Sequence, residues 1–170
     1  MKFRKRFGRW GEAAVARAFR DRGYAVATQE GFNRIPGRDL IVSRAAISCD
    51  IQVKATARRW PDDAYQIDWG KLKDYVVIAK ERDTRFALAV ANVRKRAIYL
   101  FTDKLIIATV ERAERGIGDH YSRPGRLELC YAEAGRTWDL TVGEIAEGLR
   151  IAEAEGAESD GYGDDLFDGV

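Results

Sequence analysis

Asp50-Ile51-Gln52-Val53-Lys54 is the stretch on which the reading of this chain turns. A β-strand has a side-chain period of two, so Ile51 and Val53 share one face and Asp50, Gln52 and Lys54 share the other. The first face calls for a core. The second lines up a carboxylate, an amide and an ammonium. Thirteen positions before Gln52 stands Asp39, after a Gly37-Arg38 bend and at the start of the preceding strand. If the two strands form a hairpin, Asp39 comes near Gln52 and Lys54. Further upstream, Glu12 sits in the middle of an apolar helix face, where a lone carboxylate is costly to bury unless it is paired or near a cation. Asp39, Gln52 and Glu12 together offer hard oxygen ligands, which suit a hydrated magnesium ion. Lys54 is then placed to orient or deprotonate an attacking water, with the metal polarising a phosphate.

Each of these residues also has an ordinary account. Glu12 is favoured near a helix start by the dipole, and Asp39 is a common turn residue. Gln52 and Lys54 suit a solvated strand face, and Asp50 suits a strand-edge charge. It is the four positions Glu12, Asp39, Gln52 and Lys54, in this order and spacing, that point to a site.

Outward from the motif, Gly8 to Arg22 reads as a first helix with Val15, Ala16 and Phe19 beside Glu12, ended by Gly23. Tyr24 to Thr28 alternates as a short strand. Gly31 to Gly37 is a loop. Asp39 to Ser43 and Ile47 to Ala55 are two strands about a turn near Arg44–Ala46. Ala57 to Ala64 is a loop containing Pro61. Tyr75 to Ala79 and Phe86 to Ala91 are apolar runs of strand length joined by the charged turn Lys80 to Arg85. Arg96 to Phe101 is a further strand, and Leu105 to Arg115 is read as a helix. Pro124-Gly125 turns into an alternating Leu127, Leu129 and Tyr131. Thr141-Val142-Gly143-Glu144 has capping-box spacing ahead of a helix with Ile145, Leu149 and Ala152 as its stripe. A helix, then strands, then later helices imply a single α/β domain, with a central mixed sheet flanked by helices.

The 170 residues suit one domain plus a tail, set here as 1–155 and 156–170. With 46% hydrophobic and 33% charged residues the chain is globular. No apolar run reaches membrane-span length and no secretory signal is visible, so a cytoplasmic protein without a membrane partner is expected. Two cysteines and a single histidine, His120, exclude a disulfide framework and a Cys/His zinc site. They leave thiol and Ser–His–Asp catalysis poorly supported.

Charge is unevenly placed. The seven acids of residues 151–170 account for a quarter of the 27 in the chain; without them residues 1–150 carry a net charge of +9 against 29 basic residues. Such a body suits a polyanion, through release of its counterions.

At this point the sequence resembles a family. Glu12, then Gly37-Arg38-Asp39, then Ile51-Gln52-Val53-Lys54 is similar to the PD-(D/E)XK nuclease superfamily. The opening Gly8-Arg9-Trp10-Gly11-Glu12 resembles its small basic members near the archaeal Holliday-junction resolvases. The resemblance implies a restriction-endonuclease-like core and a magnesium-dependent DNA endonuclease, with manganese as a substitute and branched or structured DNA as the target. It implies metal binding by Asp39 and Gln52, with Glu12 as an additional ligand or water-orienting group and Lys54 as the catalytic lysine. Arg38 stands where the motif has Pro, and Gln52 where it has Asp or Glu. Gln52 brings one fewer negative charge, and Asp50 on the same strand face is the residue that could restore it. A catalytically degenerate nucleic-acid-binding protein of the same fold is the alternative.

Arg34, Arg38, Arg58, Arg59, Lys71 and Lys73 flank the motif strands and are expected to grip DNA phosphates. Trp60 is a candidate to stack on a base or wedge into a junction. Cutting two strands would be served most simply by a homodimer. In the acidic tail, Asp164-Asp165-Leu166-Phe167 is slightly similar to peptides that bind the bacterial sliding clamp, with Gly163 in place of the leading Gln. The tail is read first as a solubility tail, and otherwise as a phosphate mimic folded back on the basic groove or as a weak protein-docking segment.

Overall fold

The computed structural model describes residues 4–28, 38–116 and 125–156. Their elements run α1 (Arg4–Arg20), β1 (Ala25–Thr28), β2 (Leu40–Arg44), β3 (Ile47–Thr56), β4 (Ala64–Asp68), α2 (Trp69–Arg82), β5 (Arg85–Asn92), β6 (Ala97–Thr102), α3 (Asp103–Glu114), β7 (Arg126–Cys130), β8 (Arg136–Asp139) and α4 (Val142–Glu155). Six strands form one sheet in the order β1-β2-β3-β5-β6-β8, and β4 pairs with β7 in a second, two-stranded sheet. β3 and β5 are parallel, and the other neighbours are antiparallel. This is the mixed α/β sheet flanked by helices that the sequence implies.

The sheet separates two cores. On one face Phe7, Trp10, Ala14, Val15, Ala18 and Phe19 of α1 pack with Ile151 and Ala152 of α4 over Leu40, Val42, Ile51 and Val53. On the other, Leu72, Tyr75 and Val76 of α2 and Ile106, Val110 and Ala113 of α3 pack with the β4–β7 ribbon. β5 serves both. Its alternation places Ala87, Ala89 and Ala91 in the first core and Phe86, Leu88 and Val90 in the second. The small residues let α1 come close. A methyl group on Gly11 would lie 2.9 Å from the Ala55 Cβ and 3.7 Å from that of Ala91, so glycine is what allows this approach.

The two ends of the described chain are tied together through Glu144. Thr141 and Glu144 form a capping box at the start of α4. The same Glu144 carboxylate accepts two bonds from Arg17 of α1, from Nε at 2.7 Å and from Nη2 at 2.8 Å. The Trp10 indole N–H donates to the Glu144 carbonyl at 2.9 Å.

One sequence expectation is corrected. Tyr75 to Ala79 is not a strand but the middle of α2. The β-branched run Val76-Val77-Ile78 favours a strand locally. Leu72, Tyr75 and Val76 nevertheless recur at helical spacing and are buried together, while Val77 faces water. Asp68 caps the helix start by accepting from the Lys71 N–H, and Asp83 ends it in the left-handed conformation (φ 50°). Within the expected loop 57–64, Ala64 already belongs to β4, and β4 and β8 were not foreseen.

Candidate active site

The site lies where β2 and β3 part. Leu40 faces Ile51 in the ladder, and the Asp39 N–H donates to the Ile51 carbonyl at 2.8 Å. One step further along β3, the partner strand has ended. The Val53 N–H, directed to that side, donates instead to Asp39 Oδ2 at 2.7 Å. Continuing the register sets Asp39 opposite Gln52, whose amide nitrogen donates to the same Oδ2. The Gln52 Nε2 also lies 3.4 Å from the Val53 carbonyl oxygen. Gln52 is 8% exposed. The hairpin expected from the sequence therefore brings Asp39 and Gln52 into direct contact.

Lys54, half-buried, follows two residues along β3 and so projects from the same face as Gln52. Glu12 follows Gly11 on α1, the helix that covers the Ile51 and Val53 face and crosses β3 at Ala55. Asp50 is 5% exposed, and both its oxygens carry ion pairs. Oδ1 accepts from Arg38 Nε at 3.0 Å and Oδ2 from Arg82 Nη1 at 2.8 Å. The carboxylate looked to for extra metal charge here balances two guanidinium groups. Arg82, at the end of α2, was not singled out in the sequence. It stands 32 residues from Asp50, and only the helix brings it back to the strand.

Asp39 Oδ2 and the Val53 carbonyl oxygen both face the Gln52 amide nitrogen; a carboxylate, a carbonyl and the oxygen at the other end of the amide are hard donors, a chemistry that fits a hydrated divalent cation. Among the described residues no three His, Cys, Asp or Glu side chains form a metal cluster by themselves. On β3, burial pushes the Cys49 thiol up to about 12, so it is protonated and unreactive at neutral pH.

Beyond β3 the chain enters a pinned loop. Arg94 donates to the Ala57 carbonyl at 2.6 Å, Lys95 pairs with Asp62 at 2.7 Å, and the Tyr131 N–H donates to the Asp63 carbonyl at 2.8 Å. The loop carries Arg59, exposed, and Trp60, 54% exposed, with Arg58 half-buried beside them. Arg94 and Lys95 of the basic β5–β6 turn thus serve as its anchors. Lys71 and Lys73 lie in the first half of α2, where Lys73 pairs with Glu114 of α3 at 3.0 Å and sits over the Trp69 ring. Arg34 and residues 157–170 of the acidic tail lie outside the described residues.

A six-stranded mixed sheet between helices, with Asp39 and Gln52 paired at its opening hairpin, is a restriction-endonuclease-like fold. Among solved structures, the chain is similar to Hjc, a Holliday junction resolvase from the archaeal hyperthermophile Archaeoglobus fulgidus. The TM-score is 0.52 at 13% identity, covering 82% of this chain and 99% of that one. It also matches a bacterial homing endonuclease with a TM-score of 0.44 at 16% identity, covering 88% and 91%. No protein-family model matches, and no curated protein does. Among the described residues no helix is long and apolar enough to cross a membrane.

Proposed function

We propose that this protein is a metal-dependent endonuclease acting on DNA, with branched or structured duplexes as its preferred targets. The observation that carries the reading is the contact between Asp39 and Gln52 at the parting of β2 and β3, with Lys54 next on the same face. The fold shared with a resolvase supports it, as does the basic body of the chain.

In this reading Asp39, Gln52 and Glu12 hold a magnesium or manganese ion. When bound, it would supply Lewis-acid polarisation of the scissile phosphate and neutralise developing charge. Lys54 orients the attacking water and exchanges a proton with it. Asp50 keeps Arg38 beside Asp39 through its ion pair. Arg58, Arg59 and Trp60 form the DNA-facing loop, where an exposed indole offers a stacking surface.

The test is cleavage of linear duplex, single strand, flap and four-way junction with magnesium, manganese or EDTA. Asp39→Ala and Lys54→Ala are each expected to lower cutting by about a hundredfold or more while the melting transition persists. Metal-dependent cutting retained in both variants overturns the assignment. A second reading, a DNA-binding relative without catalysis, is favoured by one observation: an amide stands where the motif places a carboxylate. Salt-sensitive binding with no cutting on any substrate would establish it.

A further inference from the structure

The Asp39 Oδ2 atom accepts from both the Val53 N–H and the Gln52 amide. The same amide nitrogen is 3.4 Å from the Val53 carbonyl. One NH2 group thus faces the Asp39 oxygen that the proposed function assigns to a cation and, beside it, the Val53 carbonyl. We propose that Gln52 is a positioning residue with two states: its amide nitrogen holds Asp39 in the metal-free chain, and its amide oxygen turns to the cation in the loaded one. This rests on the reading of Asp39 as a metal ligand.

The chemistry favours an amide over the carboxylate of the motif. A glutamate at 52 is acceptor-only when ionised and would set two negative groups against each other across the hairpin. Glutamine donates to Asp39 and, after a half-turn of its terminal torsion, presents an oxygen in the place of that donor. The torsion is broad and two-fold, so the turn itself costs little. Its cost is the hydrogen bonds surrendered, and a cation's attraction for the same oxygens offsets that. A buried amide needs partners, and in the metal-free chain Asp39 supplies one. In the metal-free protein Asp39 is thus already held by a donor, and a cation binds by displacing it.

The test is a set of thermal melts of the full chain and of Gln52→Glu, without DNA, in EDTA and across a magnesium or manganese series. Gln52→Glu is expected to melt below the wild type in EDTA. Metal should restore it, with the half-maximal rise at a metal concentration about tenfold or more below any seen for the wild type. A Gln52→Glu protein as stable as the wild type in EDTA, or with a deficit that metal does not alter, overturns the proposal.

If the variant folds only when metal is added, that result supports it. If it folds in neither condition, the side-chain amide resonances of Gln52 in the 15N-labelled wild type decide. A magnesium-dependent shift supports the two states, and none overturns them. The nuclease reading fails separately: a wild type that cuts nothing, with the Gln52→Glu pattern intact, removes the enzyme and leaves the switch.

Discussion

Glu155 closes α4 with a carboxyl group whose two oxygens are shielded from water. Burial raises its pKa, opposed only partly by the Phe7 backbone N–H and the charge of Arg6. The sign of the consequence follows from linkage. A carboxyl held above its unfolded value favours folding while protonated, and that contribution is lost as pH rises through the raised value. At neutral pH the ionised group therefore costs stability. Glu155→Gln is expected to melt higher than the wild type at pH 7–8. The difference should disappear as pH falls through the carboxylate range, where Glu155 takes up its own proton. Melts from pH 4 to 8 read this directly, and a constant offset across the range would contradict it.

Between elements, two contacts decide how tightly the layers hold. Gly148 of α4 meets the Trp10 ring: a methyl group there would lie 2.5 Å from Cζ2 and 2.9 Å from Val93 Cγ2. Gly148→Ala is expected to destabilise by about 1–3 kcal/mol through overpacking, despite the better helix propensity of alanine, as chemical denaturation would show. Asp50 joins β3 to Arg38, two residues before β2, and to Arg82 at the end of α2. Asp50→Ala leaves two guanidinium groups against the protein without their buried counter-charge. Both reach some water, so a loss of about 3 kcal/mol, the lower end for breaking a buried pair, is expected in the same measurement. These elements also show what the sequence made legible. The Asp39–Gln52 contact could be read because a hairpin is local and its alternation fixes the face. The Asp50 pairs could not, because Arg82 reaches β3 only through α2, and the β-branched centre of α2 argued for a strand. The capping box of α4 was readable from its spacing. The bond from Arg17 to Glu144 was not, because it joins residues 127 apart.

At the scale of the whole molecule, the chain's middle builds one core, and its two end helices close the other over the sheet. Every buried residue of the second core lies between Tyr65 and Tyr131, whereas the first core needs both α1 and α4. Synthesis on the ribosome gives that division a direction in time. The strand bearing Gln52 and Lys54 is made early, but the apolar face behind it lacks its last cover until Ala152 has left the tunnel. At about 5–20 residues per second, that interval is of the order of 5–20 s. Throughout it, Ile51 and Val53 have α1 but not α4 above them. The second core, complete in sequence by Tyr131, is free to form first. The strand that carries Gln52 and Lys54 can thus be framed from one side before the other, and a stalled chain lacking α4 would present the half-open face to chaperones.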